Sequence, residues 1–287
     1  MSPPAPPRSD ALTDAEFLRL SNYFYGRTGI RFQTNKRYFV DKRVIACIEA
    51  SEAPDFAAWF CRLRLGREQA LEQDLLNRLT VHETYFLRED YQLECLVSHV
   101  LPAILRERGR RFPVRILSLP CSTGEEPYSI ALWLLENWPE IDEIDVSIVG
   151  LDIDEESLVA ARAGVYGTRA VHRLSNDALE RWFDPVRDGY QIKADIRGAV
   201  ELAAVNVCDT TQMRPYRGYD IVFCRNLLIY FDQAASIRAA ENLFGALRPG
   251  GYLFLGHTES MSRVSSIFDP VRFPQTTAYQ RPWEDEQ

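Results

Sequence analysis

The sequence predicts an α/β protein in two parts, with an all-α N-terminal domain followed by a domain built on a parallel sheet covered by helices on both faces. Three observations carry this reading. From Thr13 to about Leu87 the apolar residues recur at helical spacing, and no strand pattern interrupts them. From Val114 onward, short apolar runs of strand type alternate with helical segments. The chain has 287 residues, of which 46% are apolar and 11% aromatic, so it can bury enough surface to exclude long disorder.

Residues 1–10, with four prolines and no apolar run, read as a disordered tail rather than a targeting segment. The helical domain is expected over 11–90. Thr13 fits an N-cap, because Glu16 follows three residues later as in a capping box and Phe17, Leu18 and Leu20 come next. A second helix is expected from about Asn35 through Tyr38, Val40, Val44, Ile45 and Ile48. A third runs over Pro54–Leu65 with Phe56, Trp59, Phe60 and Leu63, and a fourth over about Glu68–Leu79.

The second domain is expected over 91–287. It opens with one long helix, Tyr91–Arg108, stopped by Gly109. Strands follow at Val114–Leu119, Val146–Leu151, Val200–Val205, Asp220–Cys224 and Gly251–Leu255. Helices lie around Tyr128–Asn137, at Glu155–Arg162 and at Gln233–Leu247. Between Gly164 and Val200 the alternation breaks. A structureless loop of that length is unusual in a compact domain, so a helix and a small antiparallel flap at about 180–200 are expected, turning at Asp184–Gly189.

Charge is unevenly distributed. Residues 1–90 hold 13 basic and 13 acidic side chains, leaving 20 basic against 28 acidic in the rest and a net charge of −8. That balance argues against general nucleic-acid binding. The longest apolar stretches stop well short of the roughly 20 residues a membrane span needs. The cysteines at 47, 61, 95, 121, 208 and 224 and the histidines at 82, 99, 172 and 257 form no close ligand pairs, so no metal site is expected. A reduced, cytoplasmic protein fits these features best.

In an open parallel sheet, ligands bind at the carboxyl ends of the strands. After the first strand comes Pro120-Cys-Ser-Thr-Gly-Glu-Glu-Pro127, where Gly124 permits close backbone approach and Glu125 and Glu126 either repel phosphate and attract a cation or an amino group or simply complement the helix dipole. After the second comes Leu151-Asp-Ile-Asp154, an acidic end suited to ribose hydroxyls. Asn206-Val-Cys-Asp209 could read the edge of a base. The segment Phe223–Asp232 brings Arg225, Asn226 and Tyr230 to the same side of the sheet.

With these motifs the sequence resembles the chemotaxis receptor methyltransferases of the CheR type. The resemblance rests on Leu79-Thr-Val-His-Glu-Thr-Tyr-Phe-Leu-Arg-Glu89, Ser122-Thr-Gly-Glu-Glu-Pro-Tyr-Ser129, Asp152-Ile-Asp154, Phe223-Cys-Arg-Asn226 with Ile229-Tyr-Phe231, and Gly256-His-Thr-Glu-Ser260, across residues 12–280. It implies a Rossmann-like domain that binds S-adenosyl-L-methionine and releases S-adenosyl-L-homocysteine. Its implied cofactor residues are His82, Thr84, Arg88, Glu126 (Glu125 being the alternative), Asp152, Asn206, Val207, Cys224 and Arg225. His82 stands where related enzymes often have Asn. Arg88 and Tyr230 are the implied catalytic residues.

The implied reaction is methyl transfer to receptor glutamates. A carboxylate is already ionised near pH 7 and the sulfonium is already activated, so no strong general base is required. The resemblance also implies that the basic second helix meets the acidic methylation helices of a chemoreceptor, through Lys42 and above all Arg43. Glu49 departs from the Arg of some relatives. The turn at Asp184–Gly189 is short beside tethering versions of the flap, so independence from a receptor C-terminal pentapeptide is expected, and a monomer. Two rival readings are a methyltransferase acting on another protein or a small carboxylic acid, and a non-catalytic cofactor-binding signalling adaptor. The helical domain argues against a small substrate, and intact Arg88, Glu126, Asp152 and Tyr230 argue against an adaptor.

Overall fold

The computed structural model describes residues 11–32, 34–80 and 83–283. The chain divides into two units, one ending at residue 81 and the other starting at 82, rather than at 90. The reason is Phe86, which is fully buried in the core of the second unit and meets the rings of Tyr166 and Phe183 edge-on.

The first unit consists of α1 (Asp14–Thr28), α2 (Arg37–Ala50), α3 (Phe56–Leu65) and α4 (Gln69–Leu79). The capping box is present: the Glu16 carboxylate accepts from Thr13 N–H at 2.8 Å, and Thr13 Oγ1 accepts from Glu16 N–H at 3.3 Å. Gly29 ends α1 in the left-handed conformation. Helix α2 starts slightly later than expected, after a 3₁₀ turn at Thr34–Lys36. Leu20, Phe24, Val44, Trp59, Leu63, Leu75 and Leu79 fill the core. Of the basic residues around α2, Arg37 is tied to Asp14 and to the Leu12 carbonyl. Lys42 is exposed, and the Arg43 guanidinium lies 3.6 Å from the centre of the Phe39 ring.

The second unit opens with α5 (Asp90–Cys95), a π turn (Leu96–Val100) and α6 (Leu101–Arg108), so the expected single helix is interrupted by one widened turn. Pro102 follows that turn. It has no N–H to give, and its ring would crowd a regular preceding turn. Next in chain order are β1 (Val114–Ser118), α7 (Glu125–Asn137), β2 (Val146–Asp152), α8 (Glu155–Ala163) and β3 (Val165–Tyr166). The flap region follows as α9 (Thr168–Val171), α10 (Asn176–Trp182), β4 (Phe183–Val186), β5 (Gly189–Ile192) and α11 (Ala194–Gly198). The chain continues through β6 (Val200–Ala204), α12 (Thr210–Met213), β7 (Tyr219–Cys224), α13 (Gln233–Ala246), β8 (Leu247–Leu255), β9 (Asp269–Arg272) and β10 (Thr277–Gln280).

The main sheet has the order β6-β2-β1-β7-β8-β10-β9. Its first five strands are parallel, with Leu117 beside Val149 on one side and Val222 on the other. The last two add an antiparallel edge, so the sheet is mixed where a parallel one was expected. The flap is a separate three-stranded sheet, β3-β5-β4, to which Val165 and Tyr166 contribute a strand from before the expected segment. It is moored to α7 through the Trp182 indole N–H, which donates to Glu136 at 2.7 Å.

Buried Asp220, near the start of β7, fastens the base of this unit. It accepts from Arg115 N–H at 2.9 Å, from Arg248 Nε at 2.5 Å and from Arg108. All six cysteines are free thiols. Among the described residues no helix is long and apolar enough to cross a membrane, and no group of His, Cys, Asp and Glu is arranged to hold a metal ion.

Candidate active site

Strand β1 lies between β2 and β7, and the loops at the carboxyl ends of these three strands form one edge. The first loop runs from Ser118 to the start of α7. Ser122 and Gly124 both have positive φ, at 48° and 95°. A Cβ on Gly124 would lie 2.8 Å from Tyr128 Cε2, so glycine is required on both counts. Tyr166 O–H donates to the Thr123 carbonyl at 2.9 Å and anchors the loop from the flap side.

The two adjacent glutamates point to different partners. Glu125 is buried and receives Thr123 Oγ1 at 2.6 Å. Glu126 Oε1 accepts from Ser118 Oγ at 2.7 Å, and its Oε2 accepts from Arg225 Nη1 at 3.1 Å. Burial pushes the Glu126 carboxyl above the ordinary value, against the opposing pull of Arg225 and Ser118. The two aspartates after β2 also separate. Asp154 caps α8, accepting from Glu156 N–H at 2.9 Å, whereas Asp152 stays at the strand end and accepts from Ser122 N–H at 2.7 Å and Asp154 N–H at 3.0 Å.

Arg225 leaves the end of β7 with its side chain almost wholly enclosed. Besides Glu126 it donates from Nη2 to the Arg88 carbonyl at 2.5 Å, and that nitrogen lies 3.6 Å from Glu89 Oε2. Arg88 is half-buried and donates from Nη1 to the Glu83 carbonyl at 2.6 Å. Tyr230 is partly exposed. Burial raises its phenol above the ordinary value, and Arg88 opposes that shift while Glu83 and Glu259 reinforce it, so these three charges act on the phenol.

The remaining expected positions are more dispersed. Thr84 is half-buried. Asn206 and Val207 follow β6; Asn206 Oδ1 accepts from Cys208 N–H at 2.9 Å, and the Val207 carbonyl accepts from Asn242 Nδ2 at 2.7 Å. The Cys224 thiol is fully enclosed at the end of β7. Lys42 and Arg43 belong to the first unit. His82 lies outside the described residues.

Two carboxylates without an assigned role in the sequence reading organise this edge. Glu259 accepts from Asn226 N–H at 2.7 Å, Gly256 N–H at 2.8 Å and Ile229 N–H at 3.3 Å, and so pins the loop that carries Tyr230. A Cβ on Gly256 would lie 2.6 Å from Asn226 Nδ2. Glu89, in the left-handed region at φ 56°, receives Tyr91 O–H at 3.0 Å and His257 N–H at 3.2 Å, with His257 Nδ1 at 3.0 Å. Both lie in motifs that carry the family resemblance, Glu89 closing Leu79–Glu89 and Glu259 within Gly256–Ser260, but neither was given a role of its own. A cavity of about 500 Å³ beside these loops, lined by Tyr91, Gln92, His257, Ser260 and Tyr279, includes none of the expected cofactor residues.

The edge suits a ligand with a cationic amine and vicinal hydroxyls. Two carboxylates supply the acceptors, and Ser122 Oγ is buried in the first loop with no hydrogen-bond partner. An α/β sheet with carboxylate acceptors at these loops fits a nucleoside-binding enzyme of the methyltransferase class. Residues 82–277 match the family model described as "CheR methyltransferase, SAM binding domain", and residues 15–80 match "CheR methyltransferase, all-alpha domain". The chain belongs to this family. Its cofactor is S-adenosylmethionine, and it catalyses methylation dependent on that donor.

Curated relatives agree along nearly the full length. The chain is 46% identical over 272 residues to chemotaxis protein methyltransferase 2 of Vibrio cholerae, covering 94% of each. It is 34% identical to chemotaxis protein methyltransferase 1 of Pseudomonas aeruginosa, covering 92% of this chain and 96% of the relative. Identity to the chemotaxis protein methyltransferase of Salmonella typhimurium is 31%, covering 90% and 88%.

Proposed function

We propose that the protein methylates glutamate side chains on the cytoplasmic helices of chemoreceptors, forming methyl esters in sensory adaptation. The observation that carries this reading is the charge arrangement of the edge: Glu126, at the start of α7 and hydrogen-bonded to Ser118 at the end of β1, and Asp152, at the end of the neighbouring β2, supply acidic groups, while the charge of Arg88 acts on the Tyr230 phenol. When bound, S-adenosylmethionine supplies a methyl group already activated on sulfur. Glu126 holds the amino group of its methionine part, Asp152 the ribose hydroxyls, and Asn206 with Val207 the adenine side. Thr84, Cys224 and Arg225 line the same pocket.

Arg88 orients the incoming carboxylate in line with the bond to be broken and helps strip its water, while the Tyr230 hydroxyl steadies the sulfur side. A new carboxylate oxygen–methyl bond forms as the sulfur–methyl bond breaks, and the electron pair stays on sulfur. No proton needs to move in this step. Lys42 and Arg43 on α2 offer a positive face to an acidic receptor helix. The enzyme acts as a monomer in the cytoplasm, without tethering to a receptor C-terminal pentapeptide.

Radiolabelled methyl transfer to purified chemoreceptor signalling fragments tests the assignment. The expected label is on protein and is released as methanol by mild base, the mark of a carboxyl ester. Base-stable label, or label confined to small acids, would overturn it.

A further inference from the structure

Arg225 is a single buried cation set between two carboxylates, Glu126 at 3.1 Å and Glu89 at 3.6 Å. Had Glu126 been its only counter-ion, the two would form a closed pair, and an incoming ammonium would have to compete with a guanidinium already in place. The second carboxylate changes that balance. With Glu89 also at the guanidinium, Glu126 no longer holds Arg225 alone, and the negative charge of Glu89 is felt at Glu126 against the pull of Arg225 and Arg88.

We propose that Glu89 is a positioning residue that shares Arg225 so that Glu126 remains available to the amino group of the methyl donor. The inference rests on the assignment of Glu126 to that amino group. Glu89 is well placed for this task. Its side chain is 9% exposed, and it is held by Tyr91 O–H, Gln92 Nε2 at 3.3 Å, His257 N–H and His257 Nδ1, so its position is fixed from three directions. Burial works against its ionisation, but Arg225, His257 and Tyr91 together hold its carboxyl below the ordinary value. Conversely, Glu89 is among the groups that raise the Glu126 carboxyl.

The test compares two ligands by calorimetry. S-adenosylhomocysteine carries the amino-acid portion; 5′-methylthioadenosine has the same nucleoside without it. Replacing one ionised contributor to a largely enclosed cluster should weaken S-adenosylhomocysteine about ten-fold in Glu89→Gln, and about three-fold in Glu89→Asp, which keeps the charge but moves it away. Methylthioadenosine should bind within about two-fold of wild type in both. Equal loss for the two ligands would mean that Glu89 merely maintains the fold, and no loss for either would mean that it has no part in binding; both outcomes overturn the proposal. If Glu89→Gln does not fold, Glu89→Asp decides by the same comparison. Glu126→Gln serves as the reference. If it fails to discriminate between the ligands, the Glu126 assignment itself falls; if it discriminates and the Glu89 variants do not, only the present inference does.

Discussion

At the scale of single residues, the site depends on a few side chains whose partners define their tasks. Arg88 donates to the Glu83 carbonyl, and its charge with those of Glu83 and Glu259 acts on the Tyr230 phenol, so replacing Arg88 or Tyr230 should act on transfer more than on donor binding. Arg88→Ala and Tyr230→Phe are each expected to lower methyl transfer by about 10²-fold, the usual scale for lost orientation, with S-adenosylhomocysteine affinity changed by less than about three-fold in the same calorimetric assay. Unchanged transfer in a folded variant would remove that residue from the mechanism. Glu126 makes the opposite case. Its folded pKa is raised, chiefly by burial, so its favourable contribution is present below the unfolded value and is lost as pH rises through the raised one. Glu126→Gln should therefore match wild type in melting temperature near pH 4 and equal or exceed it at pH 7 without ligand, while losing ligand-induced stabilisation. A lower melting temperature at pH 7 than at pH 4, relative to wild type, would contradict this.

At the scale of elements, Asp220 shows how one buried carboxylate joins separate parts, since β1, α6 and β8 all send a donor to it. Asp220→Ala removes the acceptor shared by Arg108, Arg248 and the Arg115 N–H, leaving Arg248 only Glu107 and the Pro249 carbonyl, and should cost about 3 kcal/mol in urea unfolding. A loss below about 1 kcal/mol would mean that the arginines rehydrate freely. The flap offers a functional test: removing the C-terminal tail of a receptor should leave its methylation rate within about two-fold, whereas a pentapeptide-tethered enzyme would lose far more through effective concentration. Most of these elements were legible in the sequence. Apolar spacing marked α1 to α4, and the loops after β1, β2 and β7 carried the carboxylates and Arg225 in order. The β9–β10 edge was not legible, because Asp269-Pro-Val-Arg272 is polar, exposed and contains a proline, and pairing at an edge asks little of its side chains. The π turn escaped for a related reason: helical spacing persists through it. Glu89 and Glu259 lay in recognisable motifs, but their tasks were hidden because their partners, Arg225 and His257 for the first and the Asn226 and Ile229 N–H groups for the second, are brought to them only by the fold.

At the scale of the whole molecule, the uneven charge acquires a use. The acidic excess lies in the part that takes a cationic donor, and the neutral part turns Lys42 and Arg43 outward on α2. Reversing both charges should reduce kcat/KM for a receptor fragment about ten-fold at low salt and much less at about 0.5 M salt, where such attractions are screened. Donor affinity should not change. An effect independent of salt would point to lost packing on Phe39 instead. The order of the strands also bears on how the protein is made. β1 and β2 are close in sequence and can pair as soon as residue 152 is available, which brings Asp152 and the first loop together. Arg225, however, follows β7, which must insert beside β1 across more than about 100 residues of chain, a slow closure. Chain order therefore places the acidic residues of the site ahead of the cation that organises them, with three strands of the main sheet still to follow β7. A donor that needs both halves of the site stabilises only chains in which β7 is already seated beside β1.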